Sequence, residues 1–147
     1  MKKFVFSLQR LYDVKAADEK QKRLELKELT RILDEHKRNK QELLQKFAQE
    51  KEKYDDKSKS GMTRQDLKNF GDYFQYLNEE IDKQNRYIAE WEQKVEICKQ
   101  ELVKLMNEQK ALERMREEQL EEYNTELQKS EEKEIEDFMQ GRQDDND

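Results

Sequence analysis

The sequence predicts an all-α fold: two long helices turned back on each other as an antiparallel coiled-coil hairpin. Three observations carry this. Of the 147 residues, 45% are charged and 33% hydrophobic, which leaves too little apolar volume for a layered globular core. There is no proline, and there are only three glycines, so nothing interrupts a helix over most of the length. The apolar residues recur at alternating intervals of three and four, the spacing that places them along one helical stripe.

In the first helix, the alternation from Leu26 visits Leu29, Leu33, His36, Lys40, Leu43, Phe47, Glu50 and Tyr54, a coiled-coil seam with polar breaks. Upstream, Phe4, Leu8, Leu11 and Tyr12 continue a helical face, while Asp18 to Arg23 is wholly polar, so the seam is weak there. Helix 1 is expected over 1–56, its regular part starting from about Val5.

The loop follows at 57–64. Lys57-Ser58-Lys59-Ser60-Gly61-Met62-Thr63 gathers the turn formers of the chain and marks a reversal. Thr63 and Asp66 have the spacing of a capping box, with Met62 and Leu67 placed to staple the start of a second helix.

Helix 2 is expected over 65–140. From Leu67 the alternation runs through Phe70, Phe74, Leu77, Ile81, Gln84, Ile88, Trp91, Val95, Cys98, Leu102, Leu105, Gln109 and Leu112. Beyond Leu112, the residues Arg116, Leu120, Tyr123 and Leu127 stay on one face only through a stutter, which straightens the supercoil near Arg116. Gly141 offers a left-handed cap, and 141–147 is expected to be a disordered acidic tail. At about 1.5 Å per residue, helix 2 outruns helix 1 and overhangs it. Pairing about the loop sets residues whose numbers sum to about 120 opposite each other. Phe47 then meets Tyr73 or Phe74, Leu33 meets Tyr87 or Ile88, and Leu11 meets Gln109.

Charge and composition exclude several functions. Residues 1–60 carry 17 Lys+Arg against 12 Asp+Glu, and residues 113–147 carry 5 against 14, so the chain is an electrical dipole. Its basic residues alternate with acids and do not gather with aromatics on one face, the pattern of a solvated helix and not of a nucleic-acid reader. The longest apolar run, Phe4 to Phe6, is far short of a membrane span, and no signal peptide is read. The expected compartment is the cytosol, with any membrane association made through partners.

Single residues are read conservatively. Cys98, on the seam between Val95 and Leu102, is a small buried hydrophobe. His36 is a polar seam residue with no second ligand at metal spacing, and Trp91 is a core anchor. No glycine-rich phosphate loop, nucleophile arrangement or enclosed carboxylate pair occurs, so neither an enzyme activity nor a cofactor is expected. Tyr73 and Tyr76 differ from the other rings: a two-helix core cannot bury them all, so part of this aromatic surface faces outward as a candidate docking patch.

Three segments carry a family resemblance. Phe4-Val5-Phe6-Ser7-Leu8-Gln9-Arg10-Leu11 resembles the opening of the flagellar FliJ family. The stretch Tyr73 to Gln84, followed by Trp91-Glu92-Gln93-Lys94-Val95, is similar to that family's middle, and Glu132 to Arg142 is similar to its acidic terminal motif. Met139-Gln140-Gly141 departs from the small residues often found there. The resemblance implies a component of the flagellar type III export apparatus that works with a hexameric export ATPase, the export gate protein FlhA and export chaperones. Such chains resemble the coiled-coil stalk of rotary ATPase γ subunits, promote assembly of the ATPase ring and link it to the gate. Tyr73, Tyr76 and Leu77 would then bind the gate. Gln9, Arg10, Arg114 and Arg116, at the overhanging end, would contact the ring, unless the two later arginines only pair with Glu113, Glu117 or Glu118. A monomer is expected. The alternatives are a homodimeric coiled-coil spacer and the equivalent stalk of a virulence type III secretion system.

Overall fold

The computed structural model describes residues 2–145, with side chains through Gln143. Two helices, α1 (Gln9–Ser60) and α2 (Arg64–Asp145), pack against each other in an antiparallel hairpin, with no strand among the described residues. Both strips of the seam therefore belong to one chain. The hairpin divides into two compact units. One comprises residues 22–101 and includes the turn, and the other comprises 1–21 with 102–147.

In the first unit the turn is shorter than expected. α1 continues four residues past Asp56 to Ser60, whose hydroxyl donates back to the Lys57 carbonyl at 3.2 Å. Gly61 then takes φ 106°, a left-handed conformation that a side chain would strain, and ends the helix. The capping box forms as the spacing predicts. The Thr63 amide donates to Asp66 Oδ2 at 3.1 Å, and the Asp66 amide donates to Thr63 Oγ1 at 3.0 Å. Lys57 Nζ adds an ion pair to Asp66 Oδ1 at 3.4 Å across the turn. Together these contacts hold the Asp66 carboxyl below the usual carboxylate range, the Thr63 amide contributing most, then the Thr63 hydroxyl, then Lys57.

The seam of this unit follows the heptads. Leu33, Leu77, Val95 and Cys98 are buried, and Leu26, Leu29, His36, Lys40, Leu43, Phe47, Glu50 and Tyr54 on α1 are half-buried. Phe47 meets Phe74 with ring centroids 5.1 Å apart, and Tyr54 meets Phe70 edge-on at 5.4 Å. His36 takes a hydrogen bond with Gln84 Oε1 at 3.0 Å and lies 5.0 Å from the Tyr87 ring, so the polar break on α1 is matched by the one on α2. Leu67 departs from the expectation. It is 53% exposed, because the residues opposite it, around Asp56 and Lys57, offer no apolar partner.

The second unit holds the main departures. α1 begins at Gln9 and not near Val5, and residues 2–6 have no regular secondary structure. Phe4, Phe6 and Leu8 are covered while Val5 is 78% exposed, the period-two alternation of an extended segment. The polar groups of Ser7 do not cap α1. They bond across to α2, where the Ser7 hydroxyl accepts from Gln119 Nε2 at 3.1 Å. Extended backbone advances more than twice as far per residue as a helix. Phe4 therefore reaches on to Tyr123 (ring centroids 5.7 Å), beyond Arg116, the position that the numbering rule places opposite it.

Next to this segment, Tyr12 and not Leu11 faces α2. Its hydroxyl donates to Glu113 at 3.2 Å, whereas Leu11 is 44% exposed. The polar stretch of helix 1 is bridged by charge: Lys15 pairs with Glu108 at 2.6 Å, and in the neighbouring unit Lys22 pairs with Glu101 at 2.6 Å. The bond to Glu101 is the main cause raising the Lys22 ammonium above the usual lysine range. Such half-exposed pairs select register more than they add stability. At the far end, α2 runs straight through Gly141, which takes no left-handed conformation, to Asp145. The disordered tail expected over 141–147 is thus helical as far as Asp145, and the rest of that expectation, at 146–147, lies outside the described residues.

Candidate docking surfaces

Heptad packing decides which of the candidate residues can meet a partner. In the unit of residues 22–101, Leu77 is 0% exposed and is a core residue, unavailable as a direct contact. Tyr73 and Tyr76, one helical turn apart, stack with centroids 6.2 Å apart and planes 25° from parallel. Tyr73 is half-buried against the seam, while Tyr76 is 54% exposed, so the pair forms an aromatic step with one ring anchored and one presented. A second aromatic surface lies among Phe47, Lys51, Tyr54, Asp55 and Phe74, a shallow groove lined by apolar rings with a charged rim. Sequence periodicity put these rings in the core, and the structure leaves Phe47, Tyr54 and Phe74 half-buried. Trp91 is half-buried and is covered by Lys94 Nζ, 4.1 Å above its ring, which removes it as a docking anchor.

In the unit of residues 1–21 and 102–147, the four polar candidates do not form one patch. Gln9 bonds Asp13 at 2.9 Å within the first turn of α1, and Arg10 is exposed beside it. Arg116 lies with its guanidinium 5.6 Å from the Phe4 ring centroid. Arg114, two residues away, projects from the opposite side of α2, because a two-residue step turns a helix by about 200°. Among the described residues neither arginine is ion-paired with Glu113, Glu117 or Glu118, and Glu113 instead accepts the Tyr12 hydroxyl. Arg114 is thus presented, and Arg116 is engaged with the N-terminal segment.

The remaining chemistry is structural. The Cys98 thiol is buried, its pKa raised chiefly by that burial, and it donates weakly to the Lys22 carbonyl at 3.8 Å. Among the described residues no group of His, Cys, Asp and Glu could hold a metal ion, and no helix is long and apolar enough to cross a membrane.

Two long helices packed as an all-α hairpin, with side chains presented along their length, define the class of the protein as a coiled-coil hairpin. The family model described as Flagellar FliJ protein matches residues 4–142, nearly the whole chain, so this chain belongs to the FliJ family. It is therefore a component of the flagellar export apparatus, from a family of non-catalytic structural, chaperone-like proteins. No curated protein and no solved structure gave a match.

Proposed function

We propose that this chain is the stalk of the flagellar type III export apparatus: it promotes assembly of the hexameric export ATPase ring and couples that ring to the export gate protein FlhA. The observation that carries the proposal is the Tyr73–Tyr76 step. An aromatic ring left 54% exposed beside a zipped seam, and held in place by its stacked neighbour, has little side-chain entropy left to lose on binding. Tyr73 and Tyr76 are the gate contacts, and Leu77 acts by holding their helix face in register. The ring contact belongs to the other unit, where Gln9, Arg10 and Arg114 present polar side chains. Polar contacts suit a partner that six subunits engage in turn, because none of them is lost at the cost of a large apolar surface. Arg116 contributes through its seat over Phe4. The partner lies at the membrane, and the chain reaches it through FlhA and not by inserting. Export chaperones are further partners of the same docking protein.

The test is co-purification with the cell's export ATPase and with the cytoplasmic part of FlhA. The parent chain should increase ring formation and ATP turnover and should bind the gate. Tyr76→Ala should lose gate binding while ring stimulation stays intact. Equal gate affinity for parent and variant would remove the aromatic step from the proposal.

A further inference from the structure

The overhang of α2 carries a second acidic and apolar face, left uncovered, beyond the one against which the chain's own N-terminal segment lies. In the filled site, Gln119, Glu122, Tyr123 and Glu126 receive the extended segment of Lys2, Lys3, Phe4, Val5 and Ser7. Each class of contact is visible. Phe4 packs on the Tyr123 ring at 5.7 Å, the Tyr123 hydroxyl donates to the Lys2 carbonyl at 2.6 Å, and Ser7 and Gln119 bond each other, while Lys2 and Lys3 line the same open groove as Glu122 and Glu126 without a direct ion pair. The occupant is thus a short extended peptide with adjacent basic residues followed by apolar residues at alternate positions.

Twelve residues further on, about 18 Å along the axis, Glu131, Glu134, Ile135 and Phe138 repeat the spacing i, i+3, i+4, i+7 around a shallow groove. A glutamate again stands at i+3, while Ile135 at i+4 takes the place of the Tyr123 ring and Phe138 at i+7 that of Glu126. Here the apolar content is higher and no described residue of another element covers it: Ile135, Phe138 and the adjoining Met139 are 63%, 66% and 60% exposed, and every described side chain from Glu131 to Gln143 is exposed. Among the described residues only Arg142, from the same helix, leans over the Phe138 ring at 6.0 Å. Three large apolar side chains spaced at i, i+3 and i+4 form one contiguous patch, which a charged helix facing only water does not need. The covered face of α2 also leads toward it, through the half-buried Tyr123, Leu127 and Ser130.

Charge selects among occupants. With 14 acidic against 5 basic residues over 113–147, two overhangs laid together would set acidic rims against each other, and a second copy's residues 2–7 already lie against its own Tyr123, which together disfavour a second copy. We propose that the Ile135–Phe138–Met139 patch is a docking site for an extended basic–aromatic segment of another polypeptide, of the kind that the N-terminal segment exemplifies in cis. This goes beyond the ring and gate contacts proposed above and does not depend on them.

The probe is a synthetic peptide KKFVFS, identical to residues 2–7, titrated into the full chain carrying labelled isoleucine and methionine methyl groups and followed by NMR. Because the chain's own segment already occupies the Tyr123 site, the expected result is saturable movement of the Ile135 and Met139 methyl signals, with Ile81 and Ile88 unmoved. The peptide KKAVAS should bind at least tenfold more weakly. The double variant Ile135→Ala with Phe138→Ala, which keeps good helix formers on an exposed face, should weaken binding at least tenfold as read at Met139. Three results of the titration would overturn the proposal. They are no movement at Ile135 up to about 1 mM peptide, equal binding by the double variant, and movement confined to Met115 and the Tyr123 region, which would mean that the peptide only displaces the cis segment. Concentration-dependent dimerisation abolished by Phe4→Ala would place a second copy in the groove and equally reject a foreign partner.

Discussion

Replacing Leu77 by alanine separates support of the docking step from direct contact with the partner. Leu77 is 0% exposed, so the change removes three carbons from a packed seam, about 2.4 kcal/mol at about 0.8 kcal/mol per buried methylene. The cavity left behind adds to this, and alanine's better helix propensity returns a few tenths of a kcal/mol, which puts the expected loss at about 2–4 kcal/mol. The control is Leu67→Ala on the same helix. Leu67 is 53% exposed and should cost less than about 0.5 kcal/mol. Urea denaturation followed by circular dichroism at the helical band measures both. A loss below about 1 kcal/mol for Leu77→Ala, or equal losses at the two sites, would show that the seam is solvated and would refute the packing argument.

Tyr73→Ala and Tyr76→Ala should both weaken gate binding, with the Tyr76 variant keeping the parent's denaturation midpoint because its ring is the presented one; a midpoint that falls with Tyr76→Ala would make it a packing residue. Arg114→Glu should reduce stimulation of the export ATPase without altering the Phe4–Tyr123 contact. Arg116→Glu should also loosen the N-terminal segment, seen as faster hydrogen exchange at residues 2–8, and equal exchange in the two variants would contradict the seat of Arg116 over Phe4. Asp66 has a depressed folded pKa, so its contribution to stability is present above the usual carboxylate range and is lost as pH falls through the folded value. The stability gap between the parent and Asp66→Asn should therefore be constant from pH 7 to about 5 and close in stronger acid; a gap that persists at pH 2 would mean that the carboxylate charge plays no part in the cap. Thr63→Ala should cost about 1 kcal/mol through loss of the same cap.

The helices, the turn chemistry and the seam were legible in the sequence because each depends on short-range rules. The three-four alternation identified the covered residues from Phe70 to Leu112, Thr63 and Asp66 announced their capping box by spacing, and the numbering rule set Phe47 against Phe74. The misplaced boundaries share a cause. Helix 1 was expected near Val5 because helical and extended faces look alike over a few residues; the period-two order of Phe4, Phe6 and Leu8 was the available signal, outweighed by the helical run that follows. Gly141 was expected to stop α2, yet a lone glycine costs a helix only about 1 kcal/mol, which the flanking helix formers override.

What tertiary structure alone decided is which residues on a common face are withdrawn and which are presented. Tyr73, Tyr76 and Leu77 form one sequence motif, but opposition by α1 buries Leu77 completely and leaves Tyr76 outside. Arg114 and Arg116 are equivalent by composition, and only the path of the N-terminal segment across α2 gives Arg116 an aromatic partner. The sequence by itself determined the periodicity, and hence two helices with one apolar stripe each, because backbone geometry imposes that relation locally. Exposure at any one position depends on what lies opposite. That is a non-local property, set here by where α1 begins, how far the extended segment reaches and how far α2 continues past both.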